Sequence, residues 1–364
     1  MDHHKIWINP KNSNHLILGN DGGVNISYDG GENYIKCNQP AVGQFYTVAV
    51  DDATPYNVYG GLQDNGVWKA SSQHVEDPSW QQTGQNGFQM ILGGDGMKVQ
   101  IDSRDNETVY TGYQFGHYYR FAPGKDGLYI HPKHELGEEH LRWNWQTPFV
   151  ISRHQEDVVY MGSNHFHRSL DQGETWQKLG SDLTHGAKTG DVPYGTLTCI
   201  EESPNHFGWI AVGSDDGYIH ISKDGGQNWT RISDNLPQHL WVSRLEWSVH
   251  NDEVIYVTLN GYRYDHFDAY VYKTENGGAT WTRIGTDLPK EPVNALVEDT
   301  HNPNLLFVGT DHGLYCSMDQ GSTFMKMQGG LPEGPVHDLV IQDTAEELVV
   351  ATHGRSIWIA PIAM

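Results

Sequence analysis

Apolar and polar positions alternate along this chain in short runs rather than at helical spacing. Phe45-Tyr46-Thr47-Val48-Ala49-Val50, Asn57-Val58-Tyr59-Gly60, Thr108-Val109-Tyr110-Thr111 and Leu348-Val349-Val350-Ala351-Thr352 are representative. Runs of this length, rich in β-branched and aromatic residues and bounded by Gly, Asp, Asn or Ser, predict short strands in antiparallel meanders. The turn residues dominate the composition: 41 Gly and 16 Pro in 364 residues suit many tight connections. No stretch approaches the 18 or so consecutive apolar residues of a membrane-spanning helix, so no helical span is expected. The opening Met1-Asp2-His3-His4-Lys5-Ile6-Trp7 lacks the apolar segment of a signal peptide.

Self-similarity is the strongest signal. The pattern Ser/Thr-x-Asp/Asn-x-Gly-x-x-aromatic occurs at Ser27–Tyr34, Ser169–Trp176, Ser222–Trp229, Thr274–Trp281 and Ser317–Phe324. Its third positions (Asp29, Asp171, Asp224, Asn276, Asp319) lie 142, 53, 52 and 43 residues apart. The first gap holds close to three units, and strand-turn-strand patterning from Gln44 to Trp80 and from Met97 to Ile130 supplies the two degenerate copies. Units of this length with three or four strands cannot bury both faces alone and must stack, and radial stacking gives an all-β propeller. Eight blades are expected, at about 3–38, 43–85, 95–132, 147–180, 195–233, 242–285, 292–328 and 335–362, in one domain over residues 1–364. Seven blades is the alternative, if the first and last segments merge.

The octapeptide itself reads as structural. Asp or Asn accepts backbone N–H groups across a tight turn, Gly supplies the positive φ, and the aromatic covers the hairpin. These octapeptides resemble the Asp-box (BNR) repeats of sialidases, of two-propeller xyloglucanases and of the sortilin/VPS10 propeller. A closer similarity is to large bacterial BNR-repeat proteins of glycosyl hydrolase-like or VPS10-like type. It rests on Asp2-His3-His4 before Trp7-Ile8-Asn9-Pro10, Gly19-Asn20-Asp21-Gly22-Gly23 and Gln44-Phe45-Tyr46. It continues through Pro55-Tyr56, Tyr59-Gly60-Gly61-Leu62-Gln63-Asp64-Asn65-Gly66, Gly93-Gly94-Asp95-Gly96, Arg142-Trp143-Asn144-Trp145 and Thr352-His353-Gly354-Arg355. The resemblance implies a propeller, a carbohydrate-active or ligand-binding role, and a location outside the cytoplasm, extracellular or periplasmic. Members of that group are usually much longer, so the chain resembles their C-terminal portion or a compact relative.

With 23 basic against 46 acidic residues the formal charge is −23. Nucleic acid and anionic membrane surfaces reward clustered Lys and Arg, so neither is an expected partner. The same repulsion predicts a monomer, and a neutral or cationic ligand over a polyanion. Cys37, Cys199 and Cys316 form no CxxC spacing, and no cofactor or metal site is expected.

Turns between second and third strands carry the most polar sequence, and in a propeller they share a face with the links between blades. The octapeptide turns fall on the other face, so ligand chemistry is expected on the axis away from them. Long links at Gly84–Gly96, Lys133–Pro148 and Ser181–Tyr194 point the same way. Glycoside hydrolysis needs two carboxylates, one held protonated. Asp64 and Asp95, in Gly-bounded turns of adjacent units, are the candidate catalytic pair. Asp21, Gln63, Asn65, Arg142, Trp143, Asn144, His165, Arg244, Asp311, His353 and Arg355 are the candidate substrate-binding residues, and Trp143, Trp145 and Trp241 are candidate sugar platforms. Two other readings use the same face: a non-catalytic peptide- or protein-binding propeller like sortilin, and an exo-sialidase with Arg142, Arg244 and Arg355 on a substrate carboxylate.

Overall fold

The computed structural model describes residues 2–21, 23–37, 42–75, 79, 87–190 and 192–362. Trp80, which ends one of the degenerate units, and part of the Gly84–Gly96 link lie outside them. The chain is all-β: eight antiparallel sheets, built from strands within residues 3–37, 45–92, 99–129, 149–179, 197–231, 241–284, 293–326 and 336–361. Seven sheets have four strands and the last has three, with strands adjacent in sequence paired throughout. The one helical turn among the described residues is the 3-10 segment Tyr262–Tyr264. In sheet 2 the outer strand is Gln89–Leu92, paired with Val67–Lys69. The apolar run Met90-Ile91-Leu92 thus belongs to the blade, leaving Gly93 onward as the link.

Sheets 2 to 8 stack around an axis with their first strands innermost, each packing on the next. Closure comes where the inner strand of sheet 8, Val336–Gln342, packs against the inner strand of sheet 2, Phe45–Val50. Gln44 and His353 form a β-bridge there, the Gly354 N–H donates to the Gly43 carbonyl at 2.8 Å, and the Tyr56 hydroxyl donates to Glu347 at 2.7 Å. Apolar clusters fill the spaces between successive sheets, for example Val349 and Ala351 of sheet 8 with Phe45, Val48 and Val58 of sheet 2. Sheet 1 has the same four strands and the same octapeptide but stands apart from this closure. Among the described residues it gives nothing to those clusters, and its first strand, His3–Ile8, is exposed along its length. A bond from the Asn65 side-chain amide to the Asp21 carbonyl, 3.3 Å, ties it to sheet 2.

One buried carboxylate spans the ring. Asp338, on the inner strand of sheet 8, accepts the backbone N–H of Val48 in sheet 2 at 3.1 Å. The same side chain pairs with Arg244 of sheet 6 and lies 3.6 Å from the Lys98 ammonium of sheet 3. Burial opposes its ionisation, but the two cations and the Val48 N–H hold its pKa below the usual carboxylate range.

The octapeptides share one geometry. In each, the Ser or Thr hydroxyl accepts the N–H of the residue four on, with bonds of 2.7–2.9 Å from Gly31, Gly173, Gly226, Gly278 and Gly321. The acidic or amide oxygen accepts the N–H four residues beyond itself, at 2.8 Å in Thr175 to Asp171 and 2.9 Å in Asn228 to Asp224. In sheets 4 to 7 the following aromatic packs between sheets, as Trp229 does edge-on to Phe166, whereas Tyr34 of sheet 1 is exposed. These turns sit beside the first-to-second strand turns, where Gly225 N–H bonds the Gly208 carbonyl, on the face opposite the second-to-third turns.

Asp171→Ala should lower the melting temperature by a few degrees, about what losing a side-chain cap costs in a chain of this size. Asp338→Ala should cost far more, on the order of 3–5 kcal/mol, because it leaves Arg244 and Lys98 without their buried counter-charge. Thermal denaturation of both variants beside wild type tests the ranking, and equal losses would contradict the role given to Asp338.

Candidate functional site

A cavity of about 1030 Å³ runs along the axis, lined by the inner strands of sheets 2 to 8 and by turns on the face away from the octapeptides. A repeated irregularity shapes its mouth. The inner strands of sheets 2, 5, 6, 7 and 8 each carry a register shift, at Phe45/Thr47, Leu197/Cys199, Val242/Arg244, Val293/Ala295 and Val336/Asp338. The bypassed residues are Tyr46, Thr198, Ser243, Asn294 and His337, and all of them line the cavity. A bulge re-aims a side chain without breaking the sheet, so five blades each deliver one extra group to the axis. His337 stacks on His353 at 4.4 Å between ring centroids, and His353 leans on Tyr46 at 5.3 Å. Asn294 links the Asn260 amide (2.7 Å) to Asp311 (2.9 Å). Trp241 lies under the Arg263 guanidinium, 4.3 Å from its ring centre.

Deeper down, the wall is charged. Lys98, Arg153, Glu201, Arg244, Glu246 and Asp338 form a girdle from sheets 3, 4, 5, 6 and 8. Arg153 pairs with Glu201 at 2.9 Å. Burial pushes the Glu201 and Glu246 carboxyls up, Glu246 to about 8 with Glu201 as the next cause. Burial also pulls the Lys98 ammonium down against the attraction of Asp338. Of this girdle the sequence pattern picks out Arg244 alone. The available signal for the others was a charge inside an otherwise apolar strand, as in Leu245-Glu246-Trp247 and His337-Asp338-Leu339.

The candidate pair meets outside the cavity wall: Asp64 and Asp95 do not line it, whereas Gln63, beside Asp64 in sequence, and Tyr46 do. Asp64 sits at φ 60° in the turn after Asn57–Leu62, a left-handed conformation that Asp tolerates better than most residues. Its backbone N–H donates to Asp95 at 2.9 Å, and the other Asp95 oxygen accepts from the Gln114 amide at 3.1 Å. Desolvation pushes the Asp64 carboxyl above its usual range, with further contributions from Asp95 and Asp21. Asp21 belongs to sheet 1 and moves the other way, held down by the Asp2 N–H (2.6 Å) and by His4 (2.5 Å). Next to the pair, burial raises the Tyr46 hydroxyl to about 12 against the opposing pull of the nearby Trp145 indole, and Asp95 and Asp64 add to the rise.

Gln63, Arg244, Asp311 and His353 line the cavity, whereas Arg142, Trp143, Asn144, His165 and Arg355 do not. Arg142 is engaged by Asp182 at 2.5 Å and by the Gly195 carbonyl at 3.0 Å, so the three arginines do not converge on the axis. Trp143 is buried against His131 and His167. Asn144 is buried on Thr196, and His165 is half-buried with an unbonded Nδ1. Arg355 is exposed, its carbonyl capped by the Trp358 indole, and Asn65 bridges to Asp21. No cluster of three or more metal-binding side chains occurs among the described residues.

No protein-family model matches the chain, and no curated protein matches it. Solved structures do. The GH74 xyloglucanase of Xanthomonas campestris superposes with a TM-score of 0.62 at 16% identity, over 88% of this chain and 52% of the xyloglucanase. The extracellular domain assigned to a hybrid two component system of B. thetaiotaomicron gives 0.59 at 14% identity, over 89% of this chain and 38% of that one. The Pan2 WD40 domain of Neurospora crassa gives 0.53 at 12% identity, over 88% and 90%. The chain therefore has the β-propeller fold and spans about half the length of the xyloglucanase it matches. At these identities the likeness speaks to fold alone.

The buried groups make stability depend on pH in two directions. Glu246 is held at about 8 when folded, above its unfolded value near 4.5, so its contribution is complete below about pH 4.5 and is lost as pH rises toward 8. His167 and His337, pulled down to about 3 by burial, contribute fully above their unfolded value of 6.5 and lose it as pH falls toward 3. Melting temperature followed from pH 4 to 9 should therefore fall at both ends. Glu246→Gln should flatten the alkaline limb only, and parallel curves for the two proteins would contradict the assignment.

Proposed function

We propose that this is a carbohydrate-active propeller that takes a neutral glycan at the axial cavity, from the face opposite the octapeptide turns. Asp64 serves as the proton donor and Asp95 as its partner carboxylate. The observation that carries the reading is the joining of Asp64 and Asp95 close to Tyr46, which lines the cavity, with the Asp64 carboxyl raised above its usual range. A raised carboxyl next to a second one is the division of labour that glycoside cleavage requires. Hydrogen bonds to both Asp95 oxygens fix its orientation. Trp145, 39% exposed and close enough to the Tyr46 hydroxyl to lower its pKa, is the sugar platform beside the pair. Gln63, Asn260, Asn294 and Asp311 line the cavity with donors and acceptors for hydroxyl groups. The charge of −23 disfavours acidic glycans and so disfavours the sialidase reading. A location outside the cytoplasm is part of the proposal, by resemblance to the bacterial repeat proteins.

Hydrolysis of a panel of aryl glycosides by wild type, Asp64→Asn and Asp95→Asn tests it. Each substitution should lower kcat by about 10²–10⁴ on the substrate that wild type cleaves, the range for loss of a positioned acid or base. The melting temperature should hardly change for Asp64→Asn, since Asn accepts the same turn conformation, and should fall by a few degrees for Asp95→Asn, which keeps only one of two acceptor oxygens. Wild-type binding of oligosaccharides without cleavage would leave a lectin. Binding of peptides alone would replace the reading with the sortilin-type one.

A further inference from the structure

The girdle contains two groups that its own pairing leaves unused. Arg244 gives one terminal nitrogen to Asp338 and its Nε is buried, while its other terminal nitrogen makes no hydrogen bond to any described residue on a side chain that lines the cavity. Glu246 has no hydrogen bond or ion pair with any described residue, while Glu201 has Arg153 and Asp338 has Arg244 and Lys98. Residues 244 and 246 both line the cavity from the same strand, Trp241–Trp247. They sit past the bulge, where pairing with Thr258, Val257 and Tyr256 is regular, so their side chains leave the same face about 6.6 Å apart along the strand. A guanidinium nitrogen and a carboxyl without protein partners on one cavity wall are available to a ligand that offers both an acceptor and a donor.

We propose that the girdle is a second ligand subsite, in which one terminal sugar residue of a neutral oligosaccharide bridges Arg244 and Glu246 through adjacent hydroxyls. The inference rests on the glycan reading above and extends it along the axis to the charged girdle. Each hydroxyl both donates and accepts, so a vicinal pair can satisfy the Arg244 donor and the Glu246 carboxyl together. The rest of the girdle argues against a charged ligand: Lys98, Arg153 and Arg244 face Glu201, Glu246 and Asp338, close to balance. Its placement along the axis, below the rim, means that a chain enters by its end. Recognition is therefore of chain ends rather than of the middle of a polymer.

Calorimetric titration with neutral β-linked tetrasaccharides of glucose, xylose and mannose tests this in the 1–364 protein. For the tetrasaccharide that wild type binds, Glu246→Leu should weaken Kd at least about tenfold, and Glu246→Gln, which keeps an acceptor and a donor, should stay within about threefold. Long insoluble polymer of the same sugar should bind more weakly than the tetrasaccharide per chain length, because it offers few ends. If the Leu variant does not fold, Glu246→Asp withdraws the carboxyl by one methylene, and an affinity loss of about fivefold is expected. Wild-type affinity in the folded Leu variant, or in the Asp variant, overturns the subsite while leaving the reading of Asp64 and Asp95 intact. Failure of wild type to bind any of the three tetrasaccharides overturns both.

Discussion

The ring is closed through a carboxylate at its centre. Asp338 touches sheets 2, 3 and 6 from sheet 8, so blades far apart in sequence are tied across the axis. A lone buried charge would be prohibitively costly, and this one is tolerable because an N–H, a guanidinium and an ammonium converge on it. That solution has a consequence for the cavity. Once Arg244 and Lys98 are drawn inward to serve Asp338, the axis is polar, and Glu201 with Arg153 and Glu246 continues the same girdle. Closure and cavity chemistry are thus one arrangement.

The two faces are divided by the same economy of turns. On one, the octapeptides spend every acidic or amide side chain on local backbone N–H groups, which leaves nothing for a ligand. On the other, bulged inner strands and irregular turns project Tyr46, Asn294, His337 and His353 toward the axis. Sheet 1 has the octapeptide, four strands and a register shift of its own at His3/Lys5, yet none of its described residues lines the cavity.

Strand alternation and the octapeptides made eight antiparallel units legible before any coordinates, because both signals are local. Turn position along each unit also indicated the polar face. The girdle was hidden for the opposite reason. Glu246 and Asp338 are 92 residues apart in sequence, and only the ring brings them to one axis. Inner-strand bulges change which side chains point inward, so counting alternate residues misplaces Tyr46 and His337. Arg142 and Trp143 read as ligand-binding residues from their link, but tertiary packing against Asp182 and His167 engages them inside the protein. The contact between Asp64 and Asp95 follows from Gly-bounded turns on adjacent units, which bring the two side by side.

If one axial cavity holds the ligand from rim to girdle, its walls should stiffen together when it fills. Amide hydrogen exchange, measured with and without a saturating neutral tetrasaccharide selected by binding, reads this directly. The predicted result is added protection in the inner strands Phe45–Val50, Leu197–Glu202, Trp241–Trp247 and Val336–Gln342 and in the turn around Asp64, with the octapeptide turns and the His3–Ile8 strand unchanged. Protection confined to the octapeptide face or to sheet 1 would contradict the account.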